Sequence, residues 1–93
     1  MYDVVRQAAD RTEYGPPVPV GPNDQVYVIP RAGNTVTAFI STQGNSDAKQ
    51  VGGRLQVTTT SNPILVGVRT LREIGVYSPN VGEGVTILHV RKP

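Results

Sequence analysis

Apolar residues along most of this chain recur at every second position, the spacing of a half-buried strand rather than of a helix. Across residues 35–42, Val36, Ala38 and Ile40 fall on one face, with Thr35, Thr37, Phe39 and Ser41 on the other. Across residues 54–60, Leu55 and Val57 point one way and Arg54, Gln56 and Thr58 the other. Segments 25–29, 64–69, 73–78 and 85–91 carry further short apolar runs. Turn chemistry separates them: Pro30-Arg-Ala-Gly-Asn34, a polar stretch over 43–53, Ser61-Asn-Pro63, and Ser78-Pro-Asn-Val-Gly-Glu-Gly84. Strands begin about every ten residues, the rhythm of a sandwich or barrel. The pattern predicts an all-β fold, a small six-stranded antiparallel sandwich or barrel over residues 25–93.

The last strand departs from simple alternation. Val85 and Ile87 lie on one face, and Leu88 and Val90 on the other. A strand apolar on both faces is either covered by a second layer or buried against another chain. These four residues are therefore candidate partner contacts.

Residues 1–24 have a different pattern. Asp3 is placed to cap a short helix over residues 3–10, with Val4, Val5, Ala8 and Ala9 on one side. The stretch from Tyr14 to Pro22 then holds four prolines and two glycines in nine residues. Proline lacks an amide donor and fixes φ, so this stretch predicts an extended, polyproline-like arm rather than a central strand. The expected organisation is an N-terminal arm over 1–24 and a β domain over 25–93.

Composition reinforces the β reading. Val, Ile and Thr supply 29 of the 93 residues, while Leu contributes four and Ala five. Branching at Cβ suits a pleated sheet and costs a little in a helix. Charge separates the two regions. Residues 1–24 carry four acids and two arginines, a net of −2; the remainder carries seven basic and three acidic residues, a net of +4, which together recover +2. An acidic arm on a basic body favours docking of one on the other. Fixing about 24 residues costs roughly 24–48 kcal/mol of backbone entropy, so an ordered arm must lie along a surface: its own body, a neighbour or a larger assembly.

Little reactive chemistry is on offer. The chain has no cysteine, which removes disulfides, thiolate catalysis and cysteine-based metal sites. No apolar run approaches the ~18 residues of a membrane span, and the first residues do not read as a signal peptide. The one histidine, His89, lies within the last strand without a nucleophile-elbow sequence. The seven carboxylates are spread singly, without metal-loop spacing. Gly82-Glu-Gly84 begins like a dinucleotide fingerprint, but Ile87 stands where the third glycine belongs. The expectation is a protein with no catalytic residues, metal or cofactor. Arg31, Arg54, Arg69, Arg72 and Arg91 offer a basic patch, giving an alternative reading as a small β-barrel module that recognises nucleic acid or a host protein. With aromatic residues at 5%, stacking platforms are scarce, Tyr27, Tyr77 and Phe39 being the candidates, so nucleic acid is disfavoured.

An arm, a compact β body and Gly/Asn/Thr-rich connections together resemble the decoration, or cement, proteins of tailed-bacteriophage capsids. The resemblance implies a virion structural protein, assembled in the host cytoplasm, that binds the outside of a capsid shell and stabilises it. It implies the major capsid protein or other assembly subunits as partners, and a homo-oligomer, trimeric by analogy. On this reading Tyr14 and Pro16, Pro17, Val18, Pro19 and Val20 grip a neighbour, and Val85, Ile87, Leu88 and Val90 pack at a subunit contact. Deleting residues 1–24 is then expected to abolish assembly while sparing the β domain.

Overall fold

The computed structural model describes residues 1–7, 12–42, 48 and 54–92. Its elements are β1 (Tyr2–Val5), β2 (Glu13–Tyr14), β3 (Gln25–Pro30), β4 (Ala38–Ser41), β5 (Leu55–Val57), β6 (Ile64–Val66), a 3₁₀ turn at Leu71–Glu73, β7 (Gly75–Tyr77) and β8 (Gly84–Val90). They form two antiparallel four-stranded sheets. Sheet A has the order β1-β8-β3-β6 and sheet B the order β2-β7-β4-β5. Neither sheet closes on itself, so the architecture is a sandwich with four strand edges, not a barrel.

All six strands expected over 25–93 are present, each in or near its segment. The count among the described residues is nevertheless eight, because residues 1–24 contribute two more. Where a helix over 3–10 was expected, Tyr2–Val5 is extended and pairs with β8, setting Tyr2 opposite Ile87 and Val4 opposite Val85. Val4-Val5 is β-branched, and a strand here turns Val4 into the core while pairing backbone groups that β8 would otherwise leave open. Residues 8–10 of the expected helix lie outside the described residues.

The proline-rich stretch is extended, as its composition requires, but it is not a free arm. β2 pairs with β7, and the chain then runs antiparallel to residues 69–74 of the same molecule. The Gly15 amide donates to the Ile74 carbonyl at 3.0 Å, Leu71 donates to Val18 at 2.9 Å, and Val20 donates to Arg69 at 2.9 Å. Pro19 forms an isolated bridge with Thr70. Prolines sit where no ladder donor is needed, and the intervening residues make the bonds.

The core lies between the sheets. Sheet A supplies Val4, Val26, Val28, Val66, Val85 and Ile87, and sheet B supplies Ala38, Ile40, Val57 and Val76. Leu71 and Ile74, on the connection between β6 and β7, complete it, with Val18 and Val20 packed against its margin. Fully burying such a side chain contributes about 1.5–3 kcal/mol. β8 is central to sheet A, between β1 and β3, and its first residue must be glycine: a Cβ on Gly84 would overlap the carbonyl oxygen of Val4.

Candidate interaction surface

Strand register sorts every side chain of sheet A to one face or the other. Val26, Val28, Val85 and Ile87 point inward with Val4, Ile64 and Val66. The residues between them point outward, and most are apolar too. Tyr27 stands opposite Leu65 of β6 on one side and Leu88 of β8 on the other, giving an apolar row across three strands. Directly opposed side chains of this kind have Cβ atoms about 4.5–5.5 Å apart, so the row is continuous. One step along β3, Ile29 lies opposite Thr86, which lies opposite Asp3; one step the other way, Gln25 faces Val90. Leu65 is 61% exposed, and Met1, just before β1, is 81% exposed.

A polar margin frames these residues. The Tyr27 hydroxyl donates to Gln25 at 3.3 Å, and the Thr86 hydroxyl donates to Asp3 at 2.7 Å. Arg31 approaches the same Asp3 carboxylate at 3.7 Å. Met1, Ile29, Pro30 and Arg31 line a shallow depression at this edge of the face. An apolar centre with ion-paired and hydrogen-bonded groups around it is the anatomy of a protein–protein contact.

The outer face of sheet B differs. Phe39 and Tyr77 stack at a centroid separation of 6.3 Å. The Arg54 guanidinium lies over the Phe39 ring at 3.7 Å, and that of Arg6 over Tyr77 at 4.6 Å. Arg54 thus occupies a ring face that a base would need for stacking, while Arg6 is buried and packs on Tyr77 from within.

Of the residues singled out from sequence, Val85 and Ile87 are fully buried in the molecule's own core and present nothing to a partner. Leu88 and Val90 do lie on the outer face. Tyr14, Pro17 and Pro19 are exposed, whereas Val18 and Val20 pack against the core and Pro16 is half-buried. The proposed gripping segment is therefore engaged largely within its own chain. The five arginines do not converge. Arg31 follows β3 at one end of sheet A, and Arg91 follows β8 at the other, about 23 Å away along strands rising ~3.3 Å per residue. Arg54 covers sheet B, Arg69 pairs with Glu73 at 3.8 Å, and Arg72 is exposed in the 3₁₀ turn.

Sequence reasoning missed Tyr27, Ile29 and Leu65 as companions of Leu88 and Val90. The signal was available: Val26-Tyr-Val-Ile29 is apolar on both faces, as the 85–90 segment is.

Two carboxylates clamp the ends of the sandwich. Asp24 accepts from the Lys92 amide at 3.0 Å, the Gly21 amide at 2.8 Å and His89 Nε2 at 2.8 Å. These donors, the Lys92 amide foremost, hold its carboxyl at about 2, below the ordinary 3.8. Facing a carboxylate acceptor, His89 Nε2 is the donor of this bond. His89 points inward, its side chain 2% exposed, and no hydroxyl among the described residues bonds to it. It serves as a packed tie to Asp24. At the other end, Glu83 accepts from the Thr35 hydroxyl at 2.7 Å, Asn80 Nδ2 at 3.0 Å, and the Thr35 and Val36 amides at 2.7 and 3.1 Å. The Thr35 hydroxyl leads in holding it at about 2, below the ordinary 4.5. Both acids join loops; neither faces an open cleft with a second acid. No group of three metal-ligating side chains occurs among the described residues.

Compared with family models, with characterised proteins and with solved structures, the chain matches none.

Proposed function

We propose that this protein is a non-catalytic assembly subunit that docks through the outer face of sheet A onto a larger protein surface. The partner in this reading is the shell of a virion, on whose outside the chain acts as a decoration subunit, in keeping with its resemblance to capsid cement proteins. The observation that carries the reading is the Leu65–Tyr27–Leu88 row, flanked by Ile29 and Val90, on the outer side of sheet A: Leu65 is exposed and the other four are half-buried, none of them part of the core. Apolar residues arranged across three strands favour a matching protein surface. The paired state of Asp3 and Arg31 at the margin favours a contact that does not depend on net charge. The nucleic-acid alternative gains no support from dispersed arginines and a guanidinium-covered Phe39 ring.

The test is co-sedimentation with purified capsid shells lacking decoration protein. Leu88→Lys places a charge at the β8 end of the row, on a central strand of sheet A, without touching the core. It is expected to weaken shell binding at least tenfold, as burial of an unpaired charge at an interface centre does. Undiminished binding of a folded Leu88→Lys chain would falsify this reading.

A further inference from the structure

Among the described residues the two sheets end in four edge strands, and natural edges are usually guarded by charge, proline or bulges. β1 carries Asp3, and Gln7 Nε2 donates to its Val5 carbonyl at 3.3 Å. β2 carries Glu13, and β5 is preceded directly by Arg54. β6 is different. From Thr58 to Val68 the sequence TTTSNPILVGV contains no charged residue, although the whole chain carries a net charge of +2. Pro63 limits the edge at one end only. Along it, Leu65 is 61% exposed and opens the apolar row of sheet A.

We propose that β6 pairs antiparallel with β6 of a second copy of this chain about a two-fold axis at Leu65. An antiparallel edge is self-complementary, since the same residues serve on both sides of the axis. The register places Ile64 opposite Val66 of the second copy and Leu65 opposite its own counterpart. Ile64 and Val66, which face inward, extend the core across the junction, while the two Leu65 side chains meet on the outer face. No like charges are brought together, as they would be if β1 or β2 met its own copy through Asp3 or Glu13. Sheet A becomes eight strands wide, and two Leu65–Tyr27–Leu88 rows join into one. This inference builds on the proposed docking face, for it makes that face continuous across a dimer. The short edge makes the dimer concentration-dependent.

Sedimentation equilibrium of the full chain across a wide concentration range reads the outcome. The mass is expected to rise from 10.0 kDa towards twice that value. Gly67 is exposed, with nothing within 4 Å of where a Cβ would stand, so Gly67→Lys adds a charge beside β6 without strain. That variant is expected to raise the dimer dissociation constant about tenfold or more, with an unchanged circular dichroism spectrum. Leu88→Lys, two strands in from the edge, is expected to lose shell docking yet still dimerise, which separates the two proposals. A chain that stays monomeric, assembles as a trimer, or dimerises equally well with Gly67→Lys would overturn the β6 pairing.

Discussion

Single residues in this protein are constrained most tightly where backbones meet. Gly84 starts β8 against β1, and a methyl group there would overlap the Val4 carbonyl oxygen. Backbone cannot give way as a flexible side chain can, so Gly84→Ala is expected to lower stability by about 1–3 kcal/mol, read from urea unfolding. The two buffered carboxylates act at the same scale. Asp24 and Glu83 are held at about 2 in the folded chain against ordinary values of 3.8 and 4.5. A depressed folded value means that the stabilisation is complete above the unfolded value and is lost as pH falls towards the folded one. Thermal stability should therefore hold down to about pH 5 and decline between there and about pH 2. Glu83→Gln is expected to lower stability at neutral pH and flatten that decline, checked by melting temperature against pH. An equally steep decline in the variant would show that Glu83 is not its source.

At the level of elements, the N-terminal quarter of the chain proves to be structural. β1 and β2 form one edge of each sheet, and Val4 lies in the core with Val18 and Val20 at its margin. Arg6 also exchanges backbone bonds with the loop before β8, donating to Glu83 and accepting from Gly82, both at 3.0 Å. Deleting residues 1–24 would strip these partners and expose Val85, Ile87 and Leu71 to water. The truncated chain is expected to lose its cooperative thermal transition and its β spectrum. Retention of both would show that residues 25–93 fold alone. This reverses the outcome expected from composition, under which the arm is dispensable to the fold and needed only for assembly.

For the whole molecule, the decisive asymmetry is between the two outer faces. Sheet B covers its Phe39 ring with Arg54, while sheet A carries an apolar row that is exposed at Leu65 and half-buried at Tyr27 and Leu88. Docking through sheet A should be driven by apolar burial. Co-sedimentation with shells is then expected to change little between low and moderate salt, whereas binding through dispersed arginines would weaken steeply. A strong salt dependence would move the contact away from this face.

Much of this was legible in the chain. Two-residue alternation and 29 β-branched residues determined an antiparallel all-β fold, and turn chemistry located six of its strands, because side-chain period and Cβ branching are local properties. The doubly apolar 85–90 segment likewise announced a strand with two occupied faces. What local pattern could not decide was pairing. Whether Tyr2–Val5 coils or extends depends on the open edge of β8, a partner some eighty residues away in sequence. Whether the proline-rich stretch reaches out or folds back depends on the backbone of residues 69–76. Tertiary register alone sent Val85 and Ile87 inward and Leu88 outward, and it alone aligned Leu65 and Tyr27 beside Leu88, because a face is shared by strands rather than owned by one.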